Sequence, residues 1–121
     1  MEYSIGEFSE ITTIGIYTLR YYEKEGLLKP ERNGSGRRVY DERDIAWIEF
    51  IKRLKDTGMP ITEIREYAVL REKGDKTLRQ RYALLTKHKI YLGKKIKELN
   101  RHYRKLDDKI RYYENEIKKR K

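Results

Sequence analysis

From Leu78 to Ile117 apolar residues return every seven positions along two interleaved series. Leu78, Leu85, Leu92, Leu99, Leu106 and Tyr113 form one, and Tyr82, Lys89, Ile96, Tyr103, Ile110 and Ile117 form the other, four residues on. Read as d and a positions, they make a coiled-coil seam sustained over more than five heptads. No proline interrupts the run, and Gly93 is its only glycine. The pattern predicts a single helix of roughly 40 residues, about 60 Å long. A stripe so narrow and so long does not hold a lone helix together, because helices in proteins draw most of their stability from packing. It calls for a partner, and the simplest partner is a second copy of the same chain. Leu85, Leu92, Ile96, Leu99, Tyr103, Leu106 and Ile110 are the candidate dimerisation residues. Lys89, a charge at an a position, reads as a device that disfavours other pairings.

The charge distribution divides the chain at the same place. Residues 1–74 hold 13 Lys+Arg against 14 Asp+Glu, a net of −1; residues 75–121 hold 17 against 6, a net of +11, which together give the formal +10. The expected organisation is a compact domain over 1–74 and a dimerisation helix over 75–121. A basic protein of this size meets nucleic acid or another polyanion. Because the N-terminal part is balanced, its basic residues must cluster in space to act. The basic side of the long helix (Lys94, Lys95, Arg101, Arg104, Lys105) reads as solvated surface.

Several function classes are excluded. The chain has no cysteine, so disulfides, thiolate metal sites and thiol redox sensing are chemically closed to it. His88 and His102 are too few and too far apart for a histidine zinc site and read as exposed helix residues. No nucleophile–base pair, phosphate-cradling glycine loop or carboxylate–histidine cluster is present, so an enzyme is not expected, and neither a metal nor a cofactor is implied. No apolar run reaches transmembrane length and MEYSIGEF is not a signal peptide, so a cytoplasmic protein with no membrane partner is expected.

The N-terminal part reads as a sequence of short helices. Ser4 with Glu7 three residues on fits a capping box, followed by an amphipathic turn through Ile5, Phe8 and Ile11. Thr12-Thr13 breaks that helix and Gly15 opens the next, which ends near Gly26. In the second helix Ile14, Tyr17 and Tyr21 share helical spacing, with Leu19 and Tyr22 beside them, while Arg20 and Lys24 share a face. Two short helices joined so briefly read as helix-turn-helix. An arginine, a lysine and tyrosine hydroxyls in three turns suit a phosphate-lined groove better than a core. Adjacent tyrosines point about 100° apart, so Tyr21 and Tyr22 do not both face outward, and one packs on the core.

Asn33-Gly34-Ser35-Gly36 is a glycine-rich hairpin signal flanked by Arg32 and by Arg37-Arg38-Val39-Tyr40, a small β wing with arginines at its tip. Asp41 caps a third helix with a stripe of Ile45, Ile48, Ile51 and Leu54. Gly58 ends it, and Pro60 starts a fourth near its first turn. Trp47, Phe50 and Tyr67 are a candidate effector pocket, with core packing the competing role. Gly74 ends the fourth helix, and Thr77-Leu78-Arg79-Gln80 reads as a further capping box for the long helix. The fold class is therefore all-α with a small β wing.

TLRYYEKEGLL at 18–28, VYDERDI at 39–45 and FIKRLKDTGMPITEI at 50–64 resemble the MerR family of bacterial transcription regulators, closely over residues 3–73 and by architecture beyond. The resemblance implies a winged helix-turn-helix head and an antiparallel coiled coil that makes a homodimer, here in a small member without a separate effector domain. It implies that Thr18, Arg20, Tyr21 and Tyr22 face the major groove and its phosphates, and that the wing at Arg37, Arg38 and Tyr40 makes a second contact with the double-stranded DNA. The partners it implies are a palindromic promoter site and, indirectly, RNA polymerase, reached by bending and untwisting the DNA on the bacterial nucleoid. A small-molecule effector is a further candidate partner. The chain departs from the family pattern at Gly15 (usually Ser), Tyr17 (often Arg), Arg37 (often Tyr) and Pro60 (often Ser). The competing reading is an architectural, chromosome-anchoring DNA-binding protein without promoter-specific regulation.

Overall fold

The computed structural model describes residues Met1–Lys121. The elements run α1 (Ile5–Thr12), α2 (Ile16–Lys24), β1 (Glu31–Arg32), β2 (Arg38–Val39), α3 (Glu42–Asp56), α4 (Ile61–Glu72) and α5 (Leu78–Lys119), with a 3-10 turn at Asp75–Thr77 before α5. They form two compact units, Met1–Leu84 and Leu85–Lys121. The head thus takes in the 3-10 turn and the start of α5, beyond the change in charge at residue 74.

Local chemistry explains where each helix of the head begins. Ser4 Oγ accepts the Glu7 amide at 3.2 Å while Glu7 Oε1 accepts the Ser4 amide at 2.9 Å, the reciprocal capping box expected for α1. The turn into α2 uses Thr13 in the left-handed region, φ 58°, an uncommon place for a β-branched residue. Hydroxyls hold it there: Thr12 Oγ1 donates to the Phe8 carbonyl at 2.8 Å, and Ser9 Oγ donates to the Ile14 carbonyl at 2.6 Å. Asp41 caps α3, its Oδ1 accepting the Arg43 and Asp44 amides at 3.0 and 3.2 Å, and Asp44 Oδ2 accepts the Asp41 amide in return. Pro60 stands at the start of α4 as its N-cap, with φ −60° and ψ 147°. Its ring sets that φ and its missing N–H is no loss at a helix start.

The Thr77 capping box does not form. Thr77 is buried, and its hydroxyl points back into the head, donating to the carbonyls of Leu70 (2.5 Å) and Gly74 (2.8 Å). Arg81 Nε donates to that same hydroxyl, and Arg81 Nη2 to the Gly74 carbonyl. These bonds satisfy carbonyls at the end of α4 and tie the first turn of α5 to it, which is why the head runs past residue 74.

The core of the head gathers Phe8, Leu19, Leu28, Ile48, Ile51 and Ile64, all essentially without exposure. Leu54 belongs to the same α3 stripe, whereas Ile45 is only half-buried. The second unit is helix alone. Along α5 the residues Ile96, Leu99, Tyr103, Leu106 and Ile110 stand half or more exposed. His88 departs from its expected exposure: it is buried, and its ring stacks on Tyr91 with centroids 5.9 Å apart. No helix of the structure is long and apolar enough to cross a membrane.

Candidate nucleic-acid interface

The site is built on α2. Its inward residues are Leu19 and Tyr22, 1% and 2% exposed, three apart on one face. The outward face is then Tyr17, Arg20, Tyr21 and Lys24, at i, i+3, i+4 and i+7. Tyr17 is 89% exposed and Tyr21 40%. The apolar side read from Ile14, Tyr17 and Tyr21 is therefore split: Ile14 is buried in front of the helix, and the two tyrosines look out. Thr18 sits at the edge, half-buried.

Tyr22 is corrected from a groove-facing residue to a core residue. Its ring packs inside the head, with Lys55 Nζ 5.4 Å from the ring centroid. Of the adjacent tyrosines, Tyr22 takes the core position because it alone lies on the Leu19 face. Tyr40 is corrected in the same way. It is 1% exposed and lies flat on Phe8, with centroids 4.3 Å apart and planes 8° from parallel. Its backbone pairs with Tyr3 through N–H···O bonds of 2.7 and 2.9 Å. Burial pushes the Tyr40 phenol up, so it stays neutral. Tyr40 anchors the base of the wing to α1.

The wing itself pairs Glu31 with Val39 and Arg32 with Arg38, antiparallel. Asn33 organises its tip: Oδ1 accepts the amides of Ser35 and Arg37, and the Asn33 carbonyl accepts the Gly36 amide at 3.0 Å. Gly36 then takes φ 77°, the left-handed residue that closes such a loop. Arg32 Nη1 donates to the Gly36 carbonyl at 2.8 Å, so this arginine braces the loop. Arg37 is exposed at the tip.

Arg38 has a different role from its neighbour. Its Nε donates to Glu23 on α2, with Nε to the two carboxylate oxygens at 2.7 and 2.8 Å. The Glu23 carboxylate raises the Arg38 guanidinium still further above its ordinary value, so it remains charged. The pair fixes the wing against the outward helix. Exposed ion pairs contribute little to stability, but this one sets the position of one contact element relative to the other. Nothing in the spacing of Arg38 and Glu23, fifteen residues apart, announces it.

Tyr17 and Lys24 complete the exposed face beyond the residues singled out on family grounds. Their signal was present in the i, i+3, i+4, i+7 spacing around Arg20 and Tyr21. Trp47, Phe50 and Tyr67 do come together, with centroids 5.6–6.4 Å apart. Trp47 Nε1 donates to the Leu27 carbonyl at 2.6 Å, and the Arg71 guanidinium lies 4.0 Å from the Trp47 ring centroid. The three rings line a shallow, open groove of about 410 Å³ with Arg43, Arg71 and Arg81.

Comparison with known proteins agrees with this geometry. Residues 3–69 match the family described as MerR HTH family regulatory protein, and residues 45–109 match the MerR DNA-binding family. The chain is 41% identical over 119 residues to the uncharacterised HTH-type transcriptional regulator YyaN of Bacillus subtilis, covering 95% of this chain and 83% of that one. Among solved structures it is similar to HiNmlR, a MerR family regulator lacking the sensor domain, crystallised bound to promoter DNA. The TM-score is 0.88 at 33% identity, over 95% of this chain and 92% of HiNmlR. A MerR family regulator from Listeria monocytogenes superposes with a TM-score of 0.89 at 34% identity, over 93% of this chain and 86% of the other. With both family models matched over most of its length and relatives above 30% identity covered nearly end to end, the chain belongs to the MerR family of helix-turn-helix transcription regulators.

Proposed function

We infer that this protein binds a palindromic promoter site on double-stranded DNA as a homodimer, on the bacterial nucleoid, and regulates transcription by distorting that site. The observation that carries the reading is the outward face of α2, Tyr17, Arg20, Tyr21 and Lys24, held beside the wing by the Arg38–Glu23 pair. In this reading α2 enters the major groove. Arg20 reads guanine or clamps phosphate, while Thr18 and the tyrosine hydroxyls bond the backbone. Arg37 at the wing tip contacts phosphate. Tyr22 and Tyr40 act from the core by fixing where α2 and the wing stand. Each copy supplies one such head, and two heads on one two-fold axis match a palindrome. Bending and untwisting of the DNA between them brings promoter elements into reach of RNA polymerase, so the polymerase is a partner through the DNA. The Trp47–Phe50–Tyr67 cluster serves this reading as packing of the head.

The test is binding of the purified protein to its own upstream DNA and to random DNA at two salt concentrations. A regulator prefers one palindrome by about a thousandfold or more and protects it in a footprint. Uniform, steeply salt-dependent binding without a preferred site would overturn the reading.

A further inference from the structure

Trp47, Phe50 and Tyr67 do more than pack. Each is half-buried, so each ring keeps part of its surface for the open groove that the three line together. Arg43, Arg71 and Arg81 line the same groove, and no carboxylate does. α3 supplies Arg43, Trp47 and Phe50, α4 supplies Tyr67 and Arg71, and the start of α5 supplies Arg81. All six lie in the first compact unit. No residue of α2 or of the wing takes part. The groove is therefore separate from the outward face of α2 and stands whether or not that face reads a promoter.

The partners these arginines already have leave their charge largely uncompensated. Arg43 reaches Asp41 at 3.3 Å, but the arginine of that pair is exposed and such pairs are weak. Arg71 is engaged by a ring rather than an acid, its guanidinium 4.0 Å from the Trp47 centroid, and a cation–π contact leaves the full charge in place. Arg81 donates from Nε to the Thr77 hydroxyl and from Nη2 to the Gly74 carbonyl, both neutral acceptors. Of the five N–H donors of a guanidinium, three then remain to it. A concave surface lined by one sign of charge concentrates ions of the other.

The ligand that answers both halves of this lining is a planar aromatic ring joined to an anionic group. The ring finds offset and edge-on contacts with aromatic side chains. The anion accepts paired N–H bonds from guanidinium forks, which match carboxylate and phosphate alike. An aromatic cation would meet three like charges, and an anion without a ring would leave the aromatic lining wet. The volume of about 410 Å³ falls in the range of small-molecule sites. We propose that this groove binds a small planar aromatic anion, with Arg71 and Arg81 holding the anionic group and Phe50 and Tyr67 flanking the ring.

Trp47 is the only tryptophan of the chain, so its indole N–H gives a single peak in the nitrogen–proton correlation spectrum of labelled protein. That peak reports the groove. The full chain is titrated at constant ionic strength with four probes. Naphthoate carries a ring and a carboxylate, and adenosine monophosphate a ring and a phosphate. Cyclohexanecarboxylate carries the anion without an aromatic ring, and naphthylmethylamine carries the ring with a cation. At least one of the two aromatic anions is expected to shift the Trp47 peak saturably, with a Kd on the order of 100 μM for so open a site. The tighter of the two identifies the anion as carboxylate or phosphate. The other two probes are expected to bind at least about tenfold more weakly.

Arg71→Gln is expected to weaken the aromatic anion about tenfold, through the loss of a charge-assisted pair. Arg53→Gln makes the same charge change at an exposed α3 position outside the groove, and its affinity is expected to stay within about twofold. Phe50→Leu keeps the apolar bulk and removes the ring. It is expected to weaken the aromatic anion about threefold and leave cyclohexanecarboxylate unchanged. Equal binding of cyclohexanecarboxylate or of naphthylmethylamine would overturn the proposal, as would no saturable shift from either aromatic anion. Equal weakening by Arg71→Gln and Arg53→Gln would reduce the effect to overall charge and overturn it too. A shift that disappears as the protein is concentrated into its self-association range would give the groove to a second copy of the chain instead.

Discussion

The head and the long helix use the same apolar spacing to opposite ends. In the head, Phe8, Leu19, Ile48 and Ile64 find their partners within the chain and lose essentially all exposure. In α5, Leu99, Leu106 and Ile110 keep more than half of theirs. Helical periodicity says that a face is to be buried and leaves open what buries it. Loops decide that: the head has tight turns at Thr13, Gly26, Gly36 and Gly58 that bring short helices back on one another, whereas α5 runs 42 residues without a turn.

Substitutions on the two sides should separate accordingly. Phe8→Ala removes a fully buried ring stacked on Tyr40, and thermal unfolding of the head should show a loss of about 4 kcal/mol that does not depend on protein concentration. Leu99→Ala should leave the melting of the head unchanged and weaken self-association by about 2 kcal/mol, read by sedimentation as a concentration-dependent shift. A concentration-independent loss on Leu99→Ala would erase the distinction between the two regions.

The outward surface sharpens the comparison further, since its residues stand exposed rather than packed into the core. Arg20→Ala should lower operator affinity by about 2 kcal/mol and relax base preference, while Arg37→Ala should weaken all sequences nearly evenly and reduce the salt slope by about one. Unchanged operator affinity for Arg20→Ala would remove α2 as the reading element. Neither variant should move the melting temperature of the head by more than about a degree or two, because exposed positions of this kind lie within about 0.5 kcal/mol.

Smaller effects lie at the helix starts. Ser4→Ala breaks the α1 capping box and should cost about 1 kcal/mol by denaturant unfolding. At the α3 cap the sign with pH can be stated. Hydrogen bonds from the Asp44 amide, then from Arg43, hold the Asp41 carboxyl below its ordinary value of 3.8. Its folded form therefore favours the carboxylate, and that contribution is present above pH 3.8 and lost as pH falls through the lower folded value. Asp44 moves the other way, because burial raises its carboxyl. Asp41→Asn retains a capping acceptor and removes the titration, so its stability should fall less steeply with acid than that of the native chain. An unchanged acid limb would assign the effect to other carboxylates.

Much of this was legible in the chain itself. Ser4 with Glu7, Asp41 before its apolar run, Asn33–Gly36 between arginines and the sevenfold return of Leu and Ile each determine a local geometry through a few neighbouring atoms. That is why the helix starts, the wing and the long helix could be placed from sequence. Where two similar side chains compete for one direction, local chemistry is silent. Tyr21 and Tyr22 have the same propensity and the same hydroxyl. Only the packing of α2 on its Leu19 face sends Tyr22 inward and leaves Tyr21 beside Arg20 and Tyr17. Tyr40 follows Arg37-Arg38-Val39 in sequence, yet its backbone bridge to Tyr3 holds it flat on Phe8. The Arg38–Glu23 pair joins residues fifteen apart, and the Thr77 hydroxyl satisfies carbonyls in α4 instead of capping α5.

The sequence alone determined the kinds of element, their order and the sevenfold apolar stripe of α5, because spacing, caps and turn residues act over a few residues at a time. The tertiary structure decided which aromatic rings became core, which arginine braces the wing and which stays exposed at its tip, because those outcomes depend on which faces meet once the turns have closed.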